Sequence, residues 1–519
     1  MAPDSQPSGA GNWRPGRYRV TRWVFPRLLA VVYLCAFASW AVQWEGLLGE
    51  EGILPVPQIV ENIHAYEARE QTTLWLEYPS VLRWRSDDAF AQMLCWGCCG
   101  LALLVMAGLW QGPLLLVLWA AYLSLAAVGE IFMGYQWDAL LLEAGLLGVF
   151  VAPWSLRPGG LRAAPGDPPW MSVVLLHWLV FRLMFLSGFV KLAGGDSTWW
   201  ECTALLHHYE TQPLPNGLSW FAHHLPRWLH TASCAAMHVI ETGLPFAIVL
   251  GRWGRRAAAG GFVLLMALIF ATGSYNFFNL LTAALALCLL DDTSWPRRLR
   301  AWLRLDDGAP PPPRWHWRQW PALAFAPLCL LLTLAAADLF MAGRVSWHRG
   351  FMPEWARQFY ARTQSLRSFN AYGLFQAMTT ERPEIIVEVS DDGALWQPLE
   401  FKWKPGRQDR APGFAAPHQP RLDWQMWFAA LAPGFDPRRD SQPGSPLYWF
   451  GRFAACLLEK KPAVWALVEP PPLPVEDIRH VRAKLYRYRF SSPAHRRQTG
   501  EWWTREYLGM WSPVFSVKR

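Results

Sequence analysis

Charged residues are scarce in this chain of 519 residues, since Asp, Glu, Lys and Arg together make up only 17% of it. Soluble globular domains carry about 25% of their residues as charges, so the scarcity argues against a wholly soluble protein. The chain also lacks a Gly-x-Ser-x-Gly elbow, a Walker-type phosphate loop and a Rossmann glycine triplet. Common hydrolases, nucleotide-binding proteins and dehydrogenases depend on those residues, and no cofactor is expected here.

The chain contains cysteines, but their spacing does not match a regular disulfide pattern. The nine cysteines are irregularly spaced and several lie in apolar runs, so a disulfide-stapled fold is not expected. Cys95, Cys98 and Cys99 form the segment CWGCC, and a Cys-x-x-Cys pair can exchange thiols. The pair lacks a βαβ context and lies where a thiolate is unfavourable, so helix packing is favoured over thiol exchange.

A cleavable signal peptide is not predicted at the start of the chain. Residues 1–22 are polar and rich in small residues, and they run into an apolar segment without a convincing cleavage site. We therefore expect a cytoplasmic tail over residues 1–22, followed by an uncleaved first membrane span.

Long apolar runs fill the first part of the chain. Hydrophobic residues make up 52% of the whole, yet the mean hydropathy is only +0.08, which indicates a membrane part joined to a polar part. A span needs about 20 apolar residues with few charges, and about nine such runs occur between residues 23 and 342. The expected fold is a polytopic α-helical membrane bundle of about nine spans, followed by a soluble, strand-rich α+β C-terminal domain over residues 345–519.

The arginines set the expected orientation of the bundle. The formal net charge is +8, but the arginines fall mostly in short connections between apolar runs, so they indicate topology rather than nucleic-acid binding. The arginine-rich connections all fall on one side, which the positive-inside rule makes cytoplasmic. The arginine-poor loops 43–92 and 192–230, the turns 129–138 and 272–276, and the C-terminal domain then share the outward face.

The C-terminal domain is expected to contain both strands and helices. Alternation in EIIVEVS and LWQPLEFKWK around the turn DDGA predicts a β-hairpin. RLDWQMWFAAL and LYWFGRFAACLLEK look helical, whereas AVWALVE and VRAKLYRYRF have strand character. The basic strand VRAKLYRYRF is expected at a solvated sheet edge, with binding of anionic lipid headgroups or acidic client segments as the alternative.

Several long segments resemble those of the lipase maturation factor family. They are GYQWDALLLEAG, FRLMFLSGFVKLAGGDSTWW, LLHHYETQPLP, GSYNFFNLLTAALALCLLDD, FKWKPG, APHQPRLDWQMWFAALAP, VRAKLYRYRF and EWWTREYLG. The resemblance implies a non-enzymatic, multi-pass protein of the endoplasmic reticulum membrane with a lumenal C-terminal domain, needed for secreted lipases to reach their active, folded and dimeric state. The compact loops and the composition rich in Ala, Arg and Pro favour a bacterial inner membrane instead, with the C-terminal domain in the periplasm. The expected partners are the lipid bilayer and secreted client proteins, and no nucleic acid.

A shorter segment, SGFVKLAGGDSTWW, is similar to the membrane domain of vitamin-K-dependent carboxylases, where a lysine in a comparable position serves as a base. That resemblance implies an alternative function, a membrane-embedded enzyme that uses Lys191, with Glu210, on a lipid or quinone-like substrate. The structural alternative is an ion pair of Lys191 with Asp196 or Glu210, because a charge inside a membrane usually has a partner. A lipid or small-molecule carrier is a third possibility.

Polar residues of the outward segments are expected to form a cluster at the outer mouth of the bundle, where irregular backbone must satisfy its own polar groups. The predicted members are Gln136, Trp137, Asp138, Lys191, Asp196, Trp199, His207, His208, Tyr209, Glu210, Gln212, Asn276 and Asn279.

The histidines of this region, His207, His208, His223 and His224, suggest a metal site at first sight. Adjacent histidines rarely converge on one ion and the spacing matches no established ligand set, so no metal is expected. The histidine loop either ties itself across the mouth of the bundle or lines a site, and tying is favoured.

Three further pairings are expected in the bundle. Glu143 lies inside an apolar run and is expected to pair with Arg182 of the next one. Asp138 is placed to cap the helix that contains Glu143. Asn276 and Asn279 are expected to cap a helix or to form hydrogen bonds between helices.

The segment APHQPRLDWQMWF holds the candidate client-binding residues of the C-terminal domain, which are His418, Arg421, Asp423, Trp424 and Trp427. Exposed arginine and tryptophan are typical of protein-binding hot spots. The alternative is that these residues form the core of the domain, with Arg421 and Asp423 paired at a helix end.

Overall fold

The computed structural model describes residues 17–155, 160–162, 166–305 and 319–517. Residues 1–16 of the predicted cytoplasmic tail lie outside the described residues. The described part folds as a helical bundle followed by a strand-containing C-terminal domain, and the predicted fold class is confirmed.

The bundle consists of helices joined by short turns and outward loops. Its helices are α1 (Arg19–Ala41), α2 (Trp44–Leu47), α3 (Val56–Glu70), α4 (Asp88–Met106), α5 (Gln111–Val128), α6 (Gln136–Val151), α7 (Trp170–Ala193), α8 (Ser197–Trp200), α9 (Leu205–Thr211), α10 (Gly217–His223), α11 (Arg227–His238), α12 (Leu244–Ala247), α13 (Gly251–Thr272), α14 (Phe278–Leu287), α15 (Arg297–Trp302) and α16 (Trp320–Ala342).

Six helices of the described residues are long and apolar enough to cross a membrane, namely α1, α4, α5, α7, α13 and α16. The other three predicted spans correspond to α6 with 16 residues, α14 with 10 residues, and a segment that is divided into α11 and α12. A π-helical turn at Val239–Gly243 separates α11 from α12, and Pro245 follows it. Because proline has no N–H to donate, it interrupts a regular helix at this point. The predicted number of nine spans is therefore not established by helix length.

Helix α1 lies at the centre of the bundle and contacts α4, α5, α6 and α14. Tyr33, Phe37 and Trp40 on α1 are fully buried, and the Phe37 ring meets the Tyr122 ring of α5 edge-on at 5.4 Å. Gly145 of α6 allows the close approach of Tyr33, since a Cβ at that position would lie 1.9 Å from the tyrosine hydroxyl. Large aromatic side chains thus set the spacing of the central helices.

The arginine-rich ends of the helices meet on one side of the bundle. There the ion pairs are Arg17–Asp167 at 3.9 Å, Arg19–Asp292 at 3.2 Å and Arg255–Asp291 at 3.8 Å. The arginine-poor connections lie at the opposite ends of the helices, and all of them contact the C-terminal domain. Hydrogen bonds join the two parts at Gln43–Arg421, Ile131–Gln425, Thr211–Trp427 and Ser274–Ala415.

The C-terminal domain combines a mixed set of helices with one antiparallel sheet. Its elements are α17 (Glu354–Thr363), β1 (Arg382–Ser390), β2 (Gln397–Leu399), α18 (Arg421–Ala430), α19 (Pro437–Asp440), α20 (Tyr448–Leu458), α21 (Pro462–Trp465), β3 (His480–Phe490), α22 (Pro493–Thr499), β4 (Trp503–Met510) and β5 (Phe515–Ser516). The strand order is β2-β1-β3-β4, and β5 pairs with β3.

The predicted hairpin is confirmed as β1 and β2, and the two predicted helices are confirmed as α18 and α20. Two other predictions for this domain are wrong. AVWALVE begins inside the short helix α21, because Pro462 supplies a fixed helical φ at its first turn, and only Val468 forms an isolated bridge. VRAKLYRYRF forms β3 in the middle of the sheet rather than an edge strand. Its basic side chains are neutralised across the strands, since Arg482 and Lys484 both pair with Glu388.

Candidate functional site

An ion pair between Arg421 and Asp138 joins α18 of the C-terminal domain to α6 of the bundle. The two N–H groups of Arg421 donate to the two carboxylate oxygens of Asp138 at 2.8 and 2.9 Å, and both side chains are inaccessible to solvent. The Tyr122 hydroxyl donates to Asp138 at 2.5 Å, and the Arg421 guanidinium lies 4.2 Å from the Trp40 ring. A buried charge requires a partner and further hydrogen bonds, and this arrangement supplies both. We call it the Asp138–Arg421 ion pair.

The predicted role of Asp138 as a helix cap is wrong, because its carboxylate is used by Arg421 and Tyr122. The expectation that Arg421 belongs to an exposed hot spot is also wrong, since the residue is fully buried. Its pairing with Asp423 is not found either. Asp423 instead accepts the backbone N–H groups of Trp403 and Lys404, each at 2.9 Å.

The remaining candidate client-binding residues lie inside the junction as well. Trp424 packs edge-on against Trp137 at 4.7 Å, and the Trp427 indole donates to the carbonyl of Thr211 at 2.9 Å. His418 lies 3.0 Å from the Ser39 hydroxyl through its Nδ1. Trp424 and Trp427 are buried, so they cannot be the exposed anchors of a hot spot. The alternative stated from the sequence, a core position, describes them.

Arg382 holds the histidine loop in place from the sheet. Its guanidinium donates to the carbonyls of Glu210, Gln212 and Pro213 and pairs with Glu384 at 2.9 Å. One buried side chain thereby satisfies three backbone carbonyls at the end of α9 and just after it. The pattern PEIIVEVS gave no indication of this contact, because a strand-initial arginine is usually exposed.

The outward loop around Glu210 is tied to the sheet rather than to Lys191. The Glu210 carboxylate accepts the N–H of Phe490 at 3.0 Å, and burial raises the pKa of this carboxyl group above its usual value. The Gln212 side chain donates to the carbonyl of Thr272 at 2.7 Å, which fixes the loop against α13. Tyr209 meets the ring of His230 at 5.6 Å. These contacts tie the loop to the sheet and to α13.

The four histidines of this region do not converge on one point. The carbonyl of His207 accepts the Thr211 hydroxyl, and the side chain of His208 lies 3.3 Å from the Tyr275 hydroxyl. The ring of His208 also lies edge-on to Phe375 at 5.2 Å. Burial, and then the charge of Lys191, lower the pKa of His208 to about 4. Among the described residues the one group with metal-ligand proximity is a different set, Cys202, Cys234 and His238.

Lys191 near the outward end of α7 is buried and paired, but its partner was not foreseen. Its Nζ lies 2.5 Å from Oε2 of Glu241, in the π-helical turn, and among the described residues it forms no ion pair with Asp196 or Glu210 as predicted. Gly188, one turn earlier, permits this approach, since a Cβ there would lie 2.8 Å from the Cβ of Glu241. The Trp199 ring lies 5.4 Å from the Lys191 ammonium. Lys191 thus contacts a carboxylate and an aromatic face inside the protein, which is the ion pair that the sequence offers as the structural alternative, with a different partner.

Asp196 and Trp199 fasten the start of the histidine loop to the segment before the sheet. Asp196 caps α8 through the N–H of Thr198 at 2.9 Å and accepts the N–H of Met378 at 2.6 Å. The Trp199 indole donates to the carbonyl of Phe375 at 3.0 Å. Both residues therefore position the backbone of the C-terminal segment on the bundle.

The expected pair of Glu143 and Arg182 is confirmed, and both side chains are buried. Two further partners of Glu143 come from the segment after α17. The Tyr372 hydroxyl donates to the carboxylate at 2.6 Å and the N–H of Asn370 donates at 3.1 Å. These two partners are not predictable from the sequence, because nothing in the segment SFNAYG indicates which buried carboxylate it reaches.

The other predicted members of the polar cluster lie at or near the outward starts of α6 and α14. Gln136 forms two hydrogen bonds with the backbone of Gly373, and Trp137 stacks on Tyr135 at 4.7 Å. Asn276 accepts the N–H of Phe278 at 3.0 Å, but the N-cap position of α14 is Phe277 and has no side-chain cap. Asn279 is buried with no hydrogen-bond partner among the described residues.

The CWGCC segment lies within α4, and all three of its cysteines are buried. Cys95 and Cys98 belong to the main hydrophobic core of the molecule. This placement agrees with the helix-packing role favoured from the sequence.

Replacing Arg421 by Met is expected to destabilise the protein strongly, because it leaves the Asp138 carboxylate buried and unpaired. Removing one partner of a buried ion pair costs about 3–5 kcal/mol of unfolding free energy. Thermal unfolding of the detergent-solubilised protein, followed together with protease release of the C-terminal domain, measures the loss. The double variant Asp138→Asn with Arg421→Met is expected to recover part of it.

The control is Arg407→Gln, which removes an exposed ion pair with Asp409 and is expected to leave unfolding unchanged. An Arg421→Met protein that unfolds at the same temperature as the unmodified chain would contradict the assigned role of the ion pair.

The protein is expected to lose stability as the pH falls from 6.5 toward 4. Burial lowers the pKa of His208, His223 and His418 from 6.5 to about 4, so in this window the unfolded chain binds protons that the folded chain does not. The stabilising contribution is complete above pH 6.5 and is lost as the pH approaches 4. The pKa of Glu210 is raised by burial, so the contribution of this residue to stability decreases as the pH rises.

The measurement is the midpoint of thermal unfolding across this pH window. His208→Gln is expected to flatten the dependence, while His64→Gln, at an exposed position on α3, should leave it as it is. Equal slopes for His208→Gln and the unmodified chain would refute the contribution of His208.

Comparison with known families covers most of this chain. The family model described as lipase maturation factor transmembrane domain matches residues 20–297, and the model described as lipase maturation factor C-terminal domain matches residues 368–513. No solved structure matches the chain.

Named relatives align over nearly the whole chain. Lipase maturation factor 2 of Homo sapiens is 35% identical, over 96% of this chain and 83% of the relative, and that of Gallus gallus is 34% identical over 96% and 82%. Lipase maturation factor 1 of Homo sapiens is 30% identical, over 100% of this chain and 92% of the relative. These names are those of maturation factors and not of enzymes, which agrees with the expectation of a non-enzymatic protein. On these matches, and with the multi-span bundle and C-terminal domain described above, the chain belongs to the lipase maturation factor family.

Proposed function

We propose that this protein is a membrane-anchored maturation factor that assists the folding and assembly of secreted lipases. The names of its relatives supply the client class. The observation that carries the mechanism is the Asp138–Arg421 ion pair, because it fixes the C-terminal domain on the arginine-poor end of the bundle. Clients would therefore meet one rigid surface made of both parts.

The distribution of charge supports the sidedness that we propose for that surface. The opposite end of the bundle carries the arginine clusters, and the positive-inside rule places such an end in the cytoplasm. We propose that the C-terminal domain lies in the lumen of the endoplasmic reticulum in a eukaryote, or in the periplasm in a bacterium. Secreted proteins fold in either compartment.

The contact surface that we propose for clients is an apolar groove between α18, the start of α20 and the turn before α6. The groove encloses about 330 Å³, and its lining residues include Ile131, Tyr135, Phe428, Leu447 and Trp449. The Phe428 ring is 44% exposed, unlike the buried Trp424 and Trp427 of the same helix. An exposed aromatic side chain beside an apolar groove is the arrangement that binds an apolar segment of a partner.

The tight anchoring of α18 supports this assignment. Arg421 at the start of the helix is held by Asp138, and Gln425 one turn later donates to the carbonyl of Ile131 at 2.9 Å. Phe428 follows one further turn along. A binding residue on a preorganised helix loses little conformational entropy when the client binds.

Impermeant maleimide labelling of intact cells tests the sidedness. Cysteine introduced at Leu395, an exposed residue of the β1–β2 turn, is expected to react in intact cells. Cysteine introduced at Leu161, an exposed residue at the arginine-rich end, is expected to react only after the cells are broken. In a eukaryotic host the plasma membrane is permeabilised selectively, and the order of reactivity reverses. Labelling of both positions from the same side would refute the proposed topology.

Phe428→Asp is expected to lower the yield of active secreted lipase by about tenfold, since a tenfold loss of client affinity corresponds to about 1.4 kcal/mol. The measurement is lipase activity per amount of secreted lipase protein, in cells that lack their own family member and co-express a lipase with this chain. Leu395→Asp is the matched control, because Leu395 is also apolar and 74% exposed but lies away from the groove.

The amount and the unfolding temperature of each variant are measured in the same cells, so that a folding defect is recognised. Unchanged lipase activity with Phe428→Asp, or an equal loss with Leu395→Asp, would remove the groove from the proposed function. Unchanged lipase activity in the complete absence of the chain would remove the client class itself.

A further inference from the structure

Two cysteines and one histidine come together beside the outward end of α7, in a place that the proposed function does not use. The ligand atoms of Cys202, Cys234 and His238 all lie within 4.8 Å of one another. The sulfur of Cys234 lies 3.8 Å from Nε2 of His238. We call these three residues the thiol–imidazole cluster.

Two of the three residues share one helix. Cys234 and His238 are four positions apart in α11, so their side chains lie one above the other on the same face. The third residue, Cys202, follows α8 and has a φ of 53°, a left-handed backbone conformation that non-glycine residues rarely adopt. Its N–H donates to the carbonyl of Trp199 at 3.2 Å, which closes this turn. The strained turn brings a residue 32 positions away from Cys234 to the α11 face.

The cluster is neither a packing site alone nor closed to solvent. Cys234 is buried, whereas Cys202 and His238 are half-buried. Nδ1 of His238 is buried and has no hydrogen-bond partner among the described residues. Nε2 of His238, the nitrogen that faces Cys234, also lies 3.2 Å from the carbonyl of Trp199, so a metal ion bound at Nε2 would replace this contact.

Two thiolates and one imidazole form a ligand set that suits zinc. Zinc binds cysteine sulfur at about 2.3 Å and histidine nitrogen at about 2.0–2.1 Å with tetrahedral geometry, which places a sulfur and a nitrogen ligand about 3.6 Å apart. The separation of 3.8 Å between Cys234 and His238 is close to that value. Soft thiolate ligands also disfavour magnesium and calcium, which bind oxygen.

We propose that Cys202, Cys234 and His238 bind one zinc ion. The two thiols release their protons on binding, and the neutral imidazole donates a lone pair. The fourth position belongs to water, since no other His, Cys, Asp or Glu of the described residues joins the group. The ion ties the turn after α8 to α11 across 32 residues of chain.

The position of the thiol–imidazole cluster indicates a structural role for the ion. Trp199, one turn before Cys202, lies over the Lys191 ammonium, and Glu241, three residues after His238, pairs with it. Zinc therefore links the two segments that enclose Lys191. It would stabilise the broken span of α11 and α12, where a regular hydrogen-bond ladder is interrupted.

Zinc content of the purified full-length chain tests the proposal. The protein is solubilised in detergent, reduced, stripped of metal, incubated with zinc sulfate and freed of unbound metal before elemental analysis. About one zinc per chain is expected, with a higher unfolding temperature than the stripped protein. Cys202→Ser, Cys234→Ser and His238→Gln are each expected to lose the ion, while Cys35→Ser, a half-buried cysteine of α1, retains it.

A second measurement uses the unmodified chain, so that an unstable variant does not decide the result. Zinc is expected to protect Cys202 from alkylation by a maleimide, and a chelator is expected to restore the reaction. A disulfide between Cys202 and Cys234 in the isolated protein, found by peptide mapping without reductant and combined with no zinc uptake after reduction, would overturn the proposal. Full zinc retention by His238→Gln would overturn it too. Neither result bears on the lipase assay, which reads out the groove at Phe428.

Discussion

The Asp138–Arg421 ion pair joins two parts of the chain that belong to different environments, and the rest of the junction depends on it. Asp138 lies in a helix of the bundle and Arg421 begins a helix of the C-terminal domain, yet neither side chain reaches solvent. Charges in such surroundings are tolerated when they are paired and hydrogen-bonded, as the carboxylate and two guanidinium nitrogens are here. The two domains are therefore held in one relative position, and the groove beside Phe428 acquires a fixed shape.

Two other buried charged side chains, Glu143 and Arg382, also join the bundle or its loops to the C-terminal part of the chain. Glu143 pairs with Arg182 and accepts hydrogen bonds from the Tyr372 hydroxyl and the backbone N–H of Asn370. Arg382 pairs with Glu384 and donates to three carbonyls of the histidine loop. Each contact links the bundle or its loops to the polypeptide after α16. The polar groups of LLHHYETQPLP thus bind in two directions. The side chains of His208, Tyr209 and Gln212 contact the bundle, while the Glu210 carboxylate and the carbonyls of residues 210–213 contact the C-terminal domain.

The parts of this arrangement that sequence could predict are those with a local or a nearly obligatory cause. Hydropathy located the long helices, alternation located the β1–β2 hairpin, and the pairing of Glu143 with Arg182 followed from the need of a charge inside a span for a nearby partner. Partner choice over long separations was not predictable. Lys191 takes Glu241 rather than Asp196, because Gly188 and the π-helical turn bring that carboxylate close, and neither feature has a clear sequence signature.

Exposure was the least predictable property of the C-terminal domain. The segment RLDWQMWF offers arginine and tryptophan in a pattern that suits either a hot spot or a core, and the structure buries Trp424 and Trp427 while leaving Phe428 exposed. The prediction that the strand VRAKLYRYRF lies at a sheet edge is wrong for a similar reason. Its basic residues pair with acidic residues on both neighbouring strands. Composition does not reveal which face of such an element has a partner.

The separation of 283 residues between Asp138 and Arg421 has a consequence for biosynthesis. Residues of the bundle enter the membrane first, and the arginine that neutralises Asp138 leaves the ribosome only after every span has been made. During that interval the nascent protein holds an uncompensated acidic group at the mouth of the bundle, together with a Glu143 that still lacks Tyr372 and Asn370. A chain that is truncated before α18 lacks Arg421 and therefore leaves Asp138 without its cationic partner.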